Sequence, residues 1–117
     1  MKKKTYLKIK AQLYCDSDIA FGPGKADLLD AIERTGSISA AARDMGLSYR
    51  RAWLLVDTMN RCFRLPLVET GRGGNERGGA IVTPFGDGVR ARYRTLQRAL
   101  TKAAESHAEK LTHDLKD

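Results

Sequence analysis

A chain of 117 residues, 42% of them hydrophobic and carrying a formal charge of +7, has room for one small core and favours an anionic partner. Cys15 and Cys62 lie far apart with no CxxC spacing, so they offer no disulfide framework and read as reduced, buried thiols. No apolar run approaches membrane-spanning length, and Lys8 and Lys10 interrupt any leader-like stretch, so a soluble, cytoplasmic chain is expected.

Residues 5–14 alternate, with Leu7, Ile9, Ala11 and Leu13 on one face and Lys8, Lys10 and Gln12 on the other. That period of two predicts a half-buried strand. A turn is expected over residues 16–24. Residues 25–35 then carry Leu28, Leu29 and Ile32 at helical spacing, closed by Gly36 in the position of a left-handed C-terminal cap.

The run TGSISAAARDMGLSYRR at residues 35–51 encodes two further helices. Ser39 is placed to cap the first, which ends at Gly46. Ser48 caps the second, which runs to about residue 65, before Pro66 forbids continuation. Two helices crossing steeply need small side chains at the contact and a glycine in the turn, the places of Ala41, Ala42 and Gly46. Met45, Leu47, Ala52, Leu55, Val56, Met59 and Phe63 then form one apolar stripe. Ser48, Tyr49, Arg50 and Arg51 are left exposed at the N-terminal end of the second helix. A recognition helix presents that end to base edges in the major groove, where arginine can bond guanine twice.

Residues 67–70 and 80–83 read as short strands around GRGGNERGG, a glycine-rich hairpin tip. Its glycines allow close approach to a phosphate backbone, and Arg72, Asn75 and Arg77 supply contacts. No GK[ST] follows, so the tip is not a phosphate-cradling P-loop. Thr83 and Pro84 then mark an N-cap and first helical residue, opening a helix expected to reach about residue 115. The whole is one domain of mainly α class with a small β component. Its order, strand, helix, helix-turn-helix (38–65), hairpin (67–83) and long helix (84–115), is that of a winged helix-turn-helix.

The run GSISAAARDMGLSYRRAWLLVDTMN, followed by LVET, the glycine-rich wing and AIVTPFGDGV, resembles the N-terminal DNA-binding domain of the ModE family of molybdate-responsive transcription regulators. LysR-type domains are a more distant likeness. The resemblance implies a homodimer on an inverted-repeat operator. It places base contacts on Tyr49, Arg50 and Arg51, with Ser39 and Ser48 at the helix starts, and wing contacts on Arg72, Asn75 and Arg77. ModE-family proteins also carry molybdate-binding domains; this chain stops after its long helix, so no small-molecule ligand, metal or cofactor is expected to act on it.

On the last helix, Val89, Tyr93, Leu96, Leu100, Ala103, His107 and Leu111 recur at four- and three-residue steps, a seam that wants a partner helix. Its first half is basic (Arg90, Arg92, Arg94, Arg98, Lys102) and its second holds Glu105, Glu109, Asp114 and Asp117, so antiparallel pairing is expected. His107 and His113 are six apart and share no zinc-binding face. Asp27, Asp30 and Glu33 read as a solvated helix face, and Trp53 as packing beneath the wing. No nucleophile–base pairing points to an enzyme. The competing class is a sequence-indifferent, nucleoid-type DNA binder.

Overall fold

The computed structural model describes residues 3–71 and 79–116, which are mainly helical with two small antiparallel sheets. The order is β1 (Leu13–Cys15), β2 (Asp18–Phe21), α1 (Pro23–Thr35), α2 (Ile38–Met45), α3 (Tyr49–Cys62), β3 (Val68–Thr70), β4 (Ala80–Val82) and α4 (Pro84–His113). No helix among the described residues is long and apolar enough to cross a membrane.

The N-terminal strand is shorter than its alternation predicts. Only Leu13–Cys15 pairs, antiparallel to Asp18–Phe21, a strand absent from the sequence reading. The chain reverses at Asp16, whose φ of 53° is a left-handed value that aspartate tolerates. Pro23 then starts α1 after the extended Gly22, two residues before the expected start. The four residues of β2 therefore use up the available edge, and residues 5–12 have nothing to pair with among the described residues. Residues 5–9 run instead beside the C-terminal half of α4, opposite Ala104, Ala108 and Thr112.

The core forms where α1, α2 and α3 meet. Leu28, Leu29 and Ile32 of α1 are fully buried against Ala41, Ala42, Ala52, Val56 and Met59. Helix α1 ends as expected, with Gly36 at φ 81° and its N–H donating to the Ile32 carbonyl. Helix α3 stops at Cys62, short of residue 65, because Phe63 turns extended ahead of Pro66. Cys15 is exposed and Cys62 half-buried, so neither is the fully buried thiol expected.

One knot joins the end of α3, the second sheet and α4. The Asn60 side-chain oxygen accepts from the backbone N–H groups of Leu67 (2.8 Å) and Val68 (3.3 Å), and its Nδ2 donates to the Val68 carbonyl (3.0 Å). The Thr83 hydroxyl donates to the Pro66 carbonyl (2.7 Å) and accepts from the Gly86 N–H (2.9 Å), capping α4. Helix α4 passes so close to this strand that a Cβ on Gly86 would stand 2.3 Å from the Leu67 carbonyl oxygen.

Helix α4 has 30 residues and sets the 60 Å long dimension of a molecule otherwise 34 × 24 Å. Only its start is built into the domain. Tyr93 packs edge-on against Phe21 at 5.1 Å and donates its hydroxyl to the Ala11 carbonyl at 2.8 Å. Val89 is buried beside it. These two members of the expected seam thus serve the chain's own core. Asp27, Asp30 and Glu33 are not a merely solvated face: Arg90 reaches Asp30 (3.0 Å), Glu33 (2.5 Å) and Asp87 (2.5 Å), while Arg94 reaches Asp30 (2.8 Å) and Asp27 (3.1 Å). Burial opposes the charge on Arg90, but hydrogen bonds to Asp87, Glu33 and Asp30 outweigh it and hold its pKa above the usual arginine value. Beyond this lattice, Leu96, Ala103, His107 and Leu111 face solvent and Leu100 is half-buried.

Two glycines of α4 separate close packing from helix propensity. Gly86→Ala drives a methyl group into backbone and is expected to lose about 3 kcal/mol, at the upper end of overpacking costs. Gly88→Ala meets only the tip of the Arg92 side chain at 3.3 Å. It is expected to gain up to about 1 kcal/mol from propensity. Urea unfolding of the two variants measures both.

Candidate nucleic-acid interface

The first turn of α3 is fixed by its cap. Ser48 is extended (φ −69°, ψ 155°), and its hydroxyl accepts from the Arg51 N–H at 3.0 Å, satisfying a donor the helix start leaves open. On the inner face Ala52, Val56 and Met59 are buried. On the outer face Tyr49, Arg50, Arg51 and Trp53 are exposed. Trp53 stands edge-to-face with Tyr49 at 6.4 Å and is 37% exposed, so it shares the outer surface of α3.

Helix α2 lies across α3 through Ala41 and Ala42, both buried, with Gly46 at φ 70° turning the chain between them. The residue that caps α2 is Ser37, not Ser39: its hydroxyl accepts from the Ala40 N–H at 3.0 Å. The extended backbone at residue 37 (φ −154°, ψ 154°) places Ser37 just outside the helix, whereas Ser39 is already inside the first turn. Ser39 is half-buried with its hydroxyl 3.5 Å from that of Ser37.

The hairpin springs from beside the start of α2. Its strands pair Val68 with Val82, Glu69 with Ile81 and Thr70 with Ala80, and the Gly71 N–H donates to the Gly79 carbonyl at 2.8 Å. The Ala80 N–H donates to the Gly36 carbonyl at 2.9 Å, and Ser37 bridges to Gly79. The hairpin root is therefore anchored to the α1–α2 junction. Arg72, Asn75 and Arg77, expected at its tip, lie outside the described residues.

Charge is partitioned over this surface. Arg34 pairs with Asp44, Arg61 with Asp57 (3.0 Å) and Asp18 (3.4 Å), and Arg90 and Arg94 with the carboxylates of α1. Arg50 and Arg51 make no salt bridge among the described residues. Lys25 was not anticipated beside this surface. It is only 8% exposed, and burial, followed by repulsion from Arg51, pushes its ammonium below the ordinary lysine value. The signal was a lysine in register with the apolar stripe of Leu28, Leu29 and Ile32. The surface thus gathers positive charge around the start of α3, where an anion would relieve it.

No protein-family model matches the chain. It is 43% identical over 93 residues to the molybdenum-pterin-binding protein MopB of Rhodobacter capsulatus, covering 80% of this chain and 34% of that protein. It is 38% identical over 109 residues to the molybdenum transport protein ModE of Azotobacter vinelandii, covering 92% and 40% respectively. It is 36% identical over 97 residues to the DNA-binding transcriptional dual regulator ModE of Escherichia coli (strain K12), covering 83% and 35%. The chain is thus related to ModE and Mop proteins, spanning between about a third and two fifths of the length of these curated relatives.

The depressed Lys25 ammonium makes stability depend on pH with a definite sign. Its folded pKa lies below the unfolded value of 10.5, so at neutral pH the fold holds a charge it disfavours. That cost is full below the folded pKa and fades as pH rises towards 10.5, where the folded chain releases the proton first. Lys25→Met should therefore show its largest stability advantage over the native chain at neutral pH, narrowing as the solution is made alkaline. Urea unfolding across that range tests it; a pH-independent difference would contradict this environment for Lys25.

Proposed function

We propose that the chain is the DNA-binding part of a ModE-type transcription regulator, a winged helix-turn-helix that reads an inverted-repeat operator as a homodimer. The observation that carries this reading is the start of α3: a capped, exposed helix end whose adjacent Arg50 and Arg51 lack salt-bridge partners among the described residues, whereas Arg34, Arg61, Arg90 and Arg94 are paired with carboxylates. Relatives named as regulators, one of them as DNA-binding, support it. In this reading Tyr49, Arg50 and Arg51 enter the major groove. Arg72, Asn75 and Arg77 on the wing follow phosphates or the minor groove. Ser37 and Ser48 hold the helix starts against the backbone.

The names of the relatives raise molybdenum ligands. An oxyanion site needs converging donors in an enclosed pocket. An apolar cleft of about 340 Å³ at the root of α4 is walled largely by aromatic and aliphatic side chains, with Arg64 and Arg92 as its charged members, and brings together no set of oxyanion donors of that kind. Operator binding by these 117 residues is therefore proposed to need no metal or oxyanion.

Selection of bound sequences from a random DNA pool tests the reading: an inverted repeat is expected, and recovery of no preferred sequence would favour a nucleoid-type binder instead. Arg50→Ala and Arg51→Ala should each weaken operator binding by at least ~1 kcal/mol with little effect on random DNA. Arg72→Ala and Arg77→Ala should weaken both alike and flatten the salt dependence. Micromolar molybdate, compared with sulfate at matched ionic strength, should leave operator affinity unchanged; a tenfold molybdate-specific change, about 1.4 kcal/mol of coupling, would reveal a site on this chain.

A further inference from the structure

Cys15 and Cys62 are far apart in the chain, and the fold brings them together. Cys15 ends β1 and pairs with Asp18 across the first hairpin, so the two side chains share one face of that ribbon. The face looks onto the last turn of α3, where Arg61 reaches Asp18 at 3.4 Å. On the other side of Cys62 in the chain, Phe63 meets Phe21 of β2 edge-on at 6.0 Å. Cys62 is thus held against the hairpin by both its neighbours. Burial, then the charge of the Cys15 side chain and a hydrogen bond with it, push the Cys62 thiol above its ordinary value. Cys15 is exposed and Cys62 half-buried, so one sulfur is open to reagents and the other is partly shielded.

We infer that Cys15 and Cys62 form a redox-responsive pair, which closes to an intramolecular disulfide when the chain meets a low-molecular-weight disulfide such as oxidised glutathione. The inference is independent of the DNA-binding reading. Exchange begins at the accessible thiol. Cys15 Sγ releases its proton to solvent and attacks one sulfur of the reagent, whose S–S bond breaks. Half of the reagent leaves as a thiolate and takes up a proton. Cys62 Sγ, on losing its own proton, then attacks Cys15 Sγ in the mixed disulfide and expels the second half as another thiol. In sum the two protein thiols give up two electrons and two protons, and the reagent becomes two thiols. Cys62 resolves the mixed disulfide and does not initiate, because it is shielded and holds its proton more tightly.

The surroundings allow the bond. Each cysteine is the last residue of its element, and neither belongs to the hydrophobic core. Closing the S–S bond therefore moves a strand end towards a helix end and leaves the packed interior in place. The loop it encloses contains β2, α1, α2 and α3, so the cross-link restricts the unfolded chain severely and favours the folded one. Tyr49, Arg50 and Arg51 lie at the opposite end of α3 and stay free. The exposed Cys15 sulfur keeps the closed form open to reductants, so the bond is reversible.

The test treats the native full chain, freed of reductant, with oxidised glutathione and reads intact mass and a peptide map. The product should have lost two hydrogens, retain no glutathione, join the peptides of Cys15 and Cys62, and revert with dithiothreitol. In a glutathione redox buffer the effective concentration of the pair should be at least about tenfold higher in the folded chain than in urea, where the thiols must meet by closing a long loop. Cys62→Ser should stop at a single glutathione on Cys15, and Cys15→Ser should react about tenfold more slowly than the native chain. Circular dichroism checks that both variants fold; if one does not, the native chain's mass, peptide map and redox equilibrium decide alone. Retained glutathione on the native chain, cross-links between copies, absence of reaction, or an effective concentration no higher folded than unfolded would each overturn the inference.

Discussion

Everything after α3 is positioned by the backbone of residues 66–68. Three groups converge there: the Asn60 carboxamide from α3, the Thr83 hydroxyl from the start of α4, and the bare Cα of Gly86. Each addresses main-chain atoms, so the register is insensitive to side-chain repacking. The Thr83 N–H also donates to the Leu67 carbonyl at 2.9 Å, which closes the strand pair against the helix start. A glycine at residue 86 is required because the Leu67 carbonyl occupies the volume of a Cβ. The end of α3, the two described hairpin strands and the start of the long helix are therefore tied to one another through residues 66–68.

The second organising feature is the use of arginine. The chain has an excess of positive charge, yet much of it is spent internally: Arg90 and Arg94 join α4 to α1, Arg34 joins α1 to α2, and Arg61 joins α3 to the first hairpin. The Arg90 side chain is only 12% exposed, so its pairs are less screened than surface pairs usually are. Arg50 and Arg51 at the start of α3 take no part in these pairs, and Arg51 stands close enough to Lys25 to oppose its charge. The Arg51–Lys25 repulsion is tolerated there, a local conflict of the kind that functional surfaces keep.

The helices, their glycine caps and the two strands that flank the glycine run were legible because each rests on local rules. Gly36 and Gly46 have the positive φ that a C-terminal cap asks for, and Thr83 and Pro84 open α4 where their chemistry places them. The errors arose where the deciding partner is distant in sequence. The alternation of residues 5–14 marks an extended chain but cannot say whether an edge exists for it to pair with. Ser37 and Ser39 compete for one cap, and backbone angles, not composition, decide between them. Val89 and Tyr93 fit the seam's spacing, yet Phe21 and Ala11 claim Tyr93 from more than seventy residues away. Asp27, Asp30 and Glu33 looked solvated for the same reason: their partners lie on another helix. At the start of α3, the exposure of Tyr49, Arg50 and Arg51 could be read directly, because a capped amphipathic helix specifies its own exposed end. Lys25 could not, since its burial depends on what α3 places over it.

Rigidity at the root of α4 has a consequence at its far end. The helix is about 45 Å long at ~1.5 Å per residue, so ten degrees of play at its base would move its tip by about 8 Å. A regulator that reads two half-sites one helical turn of DNA apart, roughly 34–36 Å, cannot tolerate such a displacement and still seat both recognition helices. The two restraints at the root act at different angles. The Gly86–Leu67 contact fixes how closely α4 approaches the hairpin, and the guanidinium pairs of Arg90 and Arg94 fix its rotation against α1. Because α1 also packs on α2 and α3, the direction of the long helix and the orientation of α3 are set by the same core. In the proposed homodimer the spacing between the two α3 helices would then depend on the folded monomer and on how its two copies pair.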